Sequence, residues 1–100
     1  TYIRMLKIKS NETPDWKVFY DIGLESMTPD VNNPVEAEVY FTKSLQVQET
    51  EAAYVNRALM YVRTNKLDLA LKDFKRALQI FPASTISQKW ITDLTNSGIK

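Results

Sequence analysis

The chain of 100 residues contains no cysteine and no histidine, and it has only two glycines and four prolines. Without cysteine there is no disulfide, no thiol nucleophile and no thiolate metal ligand. Without histidine the chain lacks the commonest general base and the commonest metal ligand. Few glycines and prolines leave few positions for loops, which favours helices. We therefore expect an all-α protein with no enzymatic activity, no metal site and no cofactor.

The chain also lacks a strong charge of one sign and any long apolar segment. Thirteen basic and twelve acidic side chains give a net charge of +1, so no global field attracts nucleic acid or anionic lipid. No apolar run approaches the roughly 20 residues that span a bilayer. The 44% hydrophobic and 25% charged residues are typical of one globular domain. We expect a cytoplasmic protein with neither a nucleic-acid partner nor a membrane partner.

The most informative stretch runs from Glu51 to Pro82, where aromatic and small residues recur at helical spacing. Their positions are Tyr54, Ala58, Tyr61, Ala70, Phe74 and Ala77. Small residues let two antiparallel helices approach closely while the aromatic rings fill the gaps. With Asn65 and Lys66 as the break between the helices, this spacing resembles the tetratricopeptide repeat family. The resemblance implies antiparallel helix pairs stacked as a short right-handed solenoid.

Three segments of seven residues share one pattern of aromatic, basic, small and leucine residues. They are YIRMLKI from Tyr2, FTKSLQV from Phe41 and FKRALQI from Phe74. Helical spacing places the aromatic, the small residue and the leucine on one face, with the basic residue outside. Because the offsets are close to the family's 34 residues, we interpret residues 1–9 as the remnant of a preceding helix and the chain as part of a longer protein.

The remaining segments predict further helices. Pro14 opens a helix capped by Thr13, and Trp16, Phe19 and Gly23 follow with helical periodicity. We predict a diverged repeat at 14–48, a clear repeat at 51–82 and a capping helix at 84–97. Ile86, Trp90, Ile91 and Leu94 form the predicted apolar stripe of that last helix. A capping helix covers the end of a solenoid.

The resemblance implies a non-catalytic protein–protein interaction module whose first helices line a groove. Counting repeat positions gives the candidate binding residues Lys17, Tyr20, Asp21, Val55, Asn56, Leu59 and Arg63. A groove with an apolar floor and a few polar points suits a peptide or a helix of a partner protein. The alternative is a purely structural segment of a longer helical scaffold, with self-association through residues 2–8.

Two further interpretations concern a carboxylate clamp and a basic patch. The segment Tyr54 to Ala58 resembles that of chaperone-binding domains that clamp a terminal carboxylate, but only Lys17 and Asn56 match the five donors that such a clamp needs. The basic residues at 72, 75 and 76 could form a patch. We expect Asp68 and Asp73 to compensate them as a solvated, salt-bridged helix face.

Overall fold

Five α-helices follow one another in the computed structural model, which describes residues 16–99. They are α1 Trp16–Ser26, α2 Pro34–Val47, α3 Glu51–Arg63, α4 Leu67–Ile80 and α5 Thr85–Asn96. The described residues contain no strand, so the all-α prediction is confirmed. The predicted helix remnant at 1–9 and the cap at Thr13 lie outside the described residues. The proposed repeat boundaries and their stacking stay predictions.

Short polar side chains cap the starts of α2 and α3. The side chain of Asn33 accepts a hydrogen bond from the backbone N–H of Glu36 at 3.1 Å, and Thr50 accepts one from Ala53 at 3.2 Å. Each satisfies a donor that the first helical turn leaves unpaired. Asn65, at the predicted break between α3 and α4, adopts a left-handed φ of 61°. Asparagine tolerates this conformation better than most residues.

The helices form two compact units, the first ending at Glu49 and the second beginning at Thr50. In the first unit α1 packs against α2. The Ser44 hydroxyl donates to the carbonyl of Trp16 at 2.8 Å, and the N–H of Asn33 donates to the carbonyl of Ser26 at 2.7 Å. These two bonds join opposite ends of the helices, so α1 and α2 run antiparallel.

α1 and α2 approach each other closely at Gly23. A Cβ atom at this position would lie 2.6 Å from Cε1 and 2.8 Å from Cδ1 of Phe41. The Phe41 ring is fully buried, so it has little freedom to move away. Gly23 is therefore required by packing, because any side chain would overlap the ring.

In the second unit α4 packs against both α3 and α5. The inward residues Ala70, Phe74 and Ala77 are fully buried, and Arg76 is exposed between them. In α2 the equivalent Phe41 is buried while Lys43 is exposed. The seven-residue pattern is thus confirmed in α2 and α4, and its first copy from Tyr2 lies outside the described residues.

The predicted apolar stripe of α5 is partly wrong. Trp90 stacks on Phe74, with ring centroids 5.6 Å apart and planes 3° from parallel, and Leu94 is buried. Ile86, however, is 42% exposed, and Ser87 is fully buried instead. Polar contacts explain why Ser87 is buried in place of Ile86. The hydroxyl oxygens of Ser84 and Ser87 lie 2.8 Å apart, and Ser84 donates to the Glu51 carboxylate at 2.8 Å. This network turns Ser87 inward and joins the start of α5 to the start of α3.

Candidate protein-binding faces

One face of α1 lies opposite the buried residues of that helix. Ile22, Gly23 and Ser26 are buried, and helical spacing places Lys17, Tyr20, Asp21 and Leu24 on the other side. Lys17 is exposed and the other three are partly exposed. We call these four residues the α1 face. It brings together a cation, an anion, a phenol and an apolar side chain within two helical turns.

Tyr20 also belongs to the aromatic packing of the first unit. Its ring centroid lies 6.1 Å from that of Trp16 and 5.7 Å from that of Phe41. Such tilted aromatic contacts stabilise a helix pair beyond the area that they bury. Tyr20 therefore has a fixed position, and only part of its surface faces the solvent.

A second face lies on α3, opposite the side that packs on α4. Ala53, Tyr54 and Ala58 are buried, whereas Ala52, Asn56, Leu59 and Arg63 follow at spacings of four, three and four residues and all keep some exposure. We call these four residues the α3 face. Arg63 stands in the last turn of α3, where a cation is favoured by the helix dipole. The face therefore offers an amide, an apolar side chain and a guanidinium in one line.

Val55 differs from the other predicted site residues. It is only 7% exposed. It lies one residue before Asn56 in the chain, so its side chain is turned away from the α3 face. Its apolar side chain contributes to the core of the protein and offers little surface. We therefore leave Val55 out of the α3 face.

An ion pair inside the second unit positions α3 on α4. Arg57 donates from Nε to Oδ2 of Asp73 at 2.7 Å and from Nη2 to Oδ1 at 2.8 Å. The Asp73 side chain is only 7% exposed. The predicted surface pairing of Asp73 with Arg76 is thus wrong, because both carboxylate oxygens accept from Arg57 on the neighbouring helix, and Arg76 instead donates to Gln79 at 2.6 Å.

Two tyrosines and a carboxylate surround the Arg57 guanidinium. Its carbon lies 5.7 Å from the ring centroid of Tyr54 and 5.6 Å from that of Tyr61, distances at which a cation is attracted to an aromatic ring. Burial by itself lowers the pKa of Arg57, but the hydrogen bonds and the charge of Asp73 outweigh it and raise that pKa above its ordinary value. Arg57 is therefore a charged structural residue, and spacing along the chain gave no signal for its partner.

The donors of a carboxylate clamp do not come together in the second unit. Ile86 and Trp90 occupy the positions where such a clamp needs basic residues; Ile86 is exposed and apolar, and Trp90 stacks on Phe74. In the first unit the partly exposed Asp21 would repel a carboxylate. The site residues thus lack the convergent donors that a terminal carboxylate requires.

The described residues show neither a metal-binding cluster nor a membrane span. Residues 16–99 hold no group of three or more acidic side chains placed to bind a metal ion. No helix within this range is both long and apolar enough to cross a membrane.

Comparison with known proteins points to one family. Residues 52–84 match the model of the tetratricopeptide repeat. Neutrophil cytosol factor 2 of Homo sapiens is 38% identical over 68 residues, which cover 67% of this chain and 12% of that protein. The protein of the same name from Mus musculus is 37% identical over 68 residues, covering 67% of this chain and 13% of that protein. The chain spans only about an eighth of the length of these curated relatives.

Proposed function

Because residues 52–84 are a tetratricopeptide repeat, we propose that the chain is a non-catalytic module that binds a peptide or a helix of a partner protein. The observation that supports this function most is the α3 face. Asn56, Leu59 and Arg63 are aligned on the side of α3 that points away from α4, and each keeps exposed surface. Repeats of this kind present such surfaces to partners.

The chemistry of the α3 face suits a segment with an acidic and an apolar side chain. The amide of Asn56 can both donate to and accept from a peptide backbone. Leu59 provides an apolar contact one turn further, and Arg63 a planar guanidinium that binds carboxylates through two donors. The α1 face, on the first unit, offers by itself Lys17 and Asp21 to orient a charged partner and Tyr20 to pack on it.

The proposal is tested by capture of partners from a cell extract with the immobilised chain. We compare the wild type, the double variant Asn56→Ala with Arg63→Glu, and a control that carries Lys75→Glu at an exposed position of α4. A partner that wild type and control retain, and that the double variant loses, supports binding at the α3 face. Partners retained equally by all three proteins contradict binding at the α3 face and move the interaction to another surface. Capture of no partner favours a structural role within a longer scaffold.

A photo-cross-linking experiment locates the contact directly. A photoreactive amino acid in place of Leu59 lies within the α3 face, and one in place of Lys89 lies on the exposed side of α5. If the proposal holds, the captured partner cross-links at position 59 and not at position 89. Cross-linking only from position 89 would move the interaction to α5.

A further inference from the structure

Charges of opposite sign are divided between the two units, although the whole chain is nearly neutral. Residues 1–49 carry five basic and eight acidic side chains, a net charge of −3, whereas residues 50–100 carry eight basic and four acidic side chains, a net charge of +4. These charges are counted on either side of the boundary between the two units, at Glu49 and Thr50. Such a division provides complementary surfaces that attract each other in different copies of the chain.

The acidic unit exposes apolar side chains on the outer side of α2. Val35 is 60% exposed and Val39 is 46% exposed, and Gln46 continues the same line. We call these three residues the valine stripe. Asp30 and Glu49 lie on either side of α2 along the chain and are both exposed. Exposed large apolar residues in a line are typical of contact surfaces.

The one lysine of α2 does not make this stripe basic. The ammonium of Lys43 lies 5.1 Å from the ring centroid of Tyr40 and 5.9 Å from that of Phe19. It is therefore drawn toward the aromatic side of the first unit.

The basic unit exposes a matching line on the outer side of α4. Leu69, Lys72, Arg76 and Ile80 follow at spacings of three, four and four residues, and all four are exposed. We call these residues the basic stripe. Of the two acids expected to compensate these cations, Asp73 does not, since its carboxylate is buried against Arg57, whereas the exposed Asp68 stays one turn before Lys72. The stripe thus combines two apolar anchors with two cations between them.

We propose that the chain associates with a second copy of itself, the valine stripe of one copy packing on the basic stripe of the next. The apolar residues of both stripes leave water together, and Lys72 and Arg76 face the acidic first unit of the other copy. The contact is heterologous, because two different surfaces meet, and it continues from copy to copy unless the geometry closes it. It uses faces other than the α1 and α3 faces and is independent of the function proposed above.

Sedimentation velocity of the whole chain tests this association. At about 0.05 M salt the weight-average sedimentation coefficient should rise with protein concentration, and at about 0.5 M salt the rise should largely disappear, because screening shortens the reach of charges. Absence of any rise at low salt overturns the proposal. A rise that salt does not change also overturns it.

Charge-swapped variants test which surfaces meet. Variant A carries Lys72→Glu and Arg76→Glu, and variant B carries Asp30→Lys and Glu49→Lys. Glu36 is left intact because its carboxylate accepts a hydrogen bond from Nδ2 of Asn33, the residue that caps α2. Each variant alone should stay monomeric, because the charges beside its two stripes then have the same sign and repel each other. An equimolar mixture should associate again, because the acidic unit of A meets the unchanged basic stripe of B.

The control changes the charge of the second unit by the same amount away from the stripe. Lys75→Glu combined with Lys89→Glu should keep most of the association, and circular dichroism confirms that each variant is helical. If variants A and B are monomeric but their mixture does not associate, the pairing of these two stripes is wrong. If the control loses association as completely as variant A, the basic stripe is not the contact surface.

Discussion

At position 23 an added methyl group would disturb the packing of α1 on α2. Gly23→Ala places a Cβ atom within 2.6 Å of the buried Phe41 ring, so the helices must separate or the ring must leave its position. Overpacking of this kind costs about 1–3 kcal/mol. We expect the variant to unfold at a clearly lower urea concentration than the wild type, measured by circular dichroism.

The double variant Gly23→Ala with Phe41→Leu serves as its control. Leucine is shorter than phenylalanine, so the overlap is relieved, and the two changes should cost less together than the sum of their separate effects. An unchanged urea midpoint for Gly23→Ala alone would show that the ring can move at little cost.

The Arg57–Asp73 pair makes a second prediction at the scale of residues. Asp73→Ala leaves the guanidinium of Arg57 without its carboxylate in a largely buried place, a loss of about 3–5 kcal/mol in comparable pairs. Replacing both residues, by Arg57→Leu and Asp73→Ala, also removes the unpaired charge. We expect the double variant to be more stable than Asp73→Ala alone in chemical denaturation. The opposite order would mean that the Arg57 packing on Tyr54 and Tyr61 matters more than its charge.

At the scale of elements, hydrogen bonds from Ser84 decide how firmly α5 is held. Ser84→Ala removes the bond to Glu51 at 2.8 Å and the contact with Ser87. A bond to a carboxylate contributes about 1.5–3 kcal/mol. We expect the backbone amides of α5 to exchange with deuterium at least about tenfold faster, since 1.4 kcal/mol corresponds to a factor of ten. The neighbouring Thr85→Ala, at an exposed position, should leave exchange nearly unchanged; equal acceleration in both variants would contradict the role of Ser84.

The turn between α3 and α4 depends on a backbone conformation that few residues adopt. Asn65 has a φ of 61°, where a β-branched side chain meets steric conflict. Asn65→Val should therefore lower the free energy of unfolding by about 1–2 kcal/mol, whereas Asn65→Gly should change it little. Thermal denaturation of the two variants distinguishes these effects, and equal melting temperatures would mean that the turn relaxes to another conformation.

For the whole molecule, spacing along the chain predicts what each helix buries, because burial on a helix follows its 3.6-residue period. Phe41, Ala70 and Phe74 are buried as their spacing predicted. The partner of Asp73 could not be predicted in this way: Arg76 is three residues away along the chain, whereas Arg57 is brought close only by the packing of two helices.

The candidate site likewise has features that spacing along the chain predicts and features that it does not. Helical phase alone aligns Asn56, Leu59 and Arg63, but it does not show that Val55, one residue before Asn56, is buried. The prediction that Ile86 belongs to the apolar stripe of α5 was wrong for a related reason. Its position was inferred from apolarity, while hydrogen bonds of Ser84 and Ser87 set the rotation of α5.

The division of charge between the units has a consequence that does not depend on self-association. Near the sequence pI of about 7.8, a protein with evenly mixed charges should pass through both kinds of ion-exchange resin. We expect this chain to be retained at low salt by both, because a resin binds a local surface of opposite charge rather than the net charge.

A variant of identical net charge provides the comparison. Glu25→Lys combined with Lys89→Glu leaves the total at +1 but reduces the charge of each unit by two. It should elute from both resins at lower salt than the wild type, because each unit then presents a weaker field. Since the net charge is the same, a difference in elution can arise only from where the charges lie. Elution of both proteins at the same salt concentration would show that the opposite charges of the two units do not act as separate surfaces.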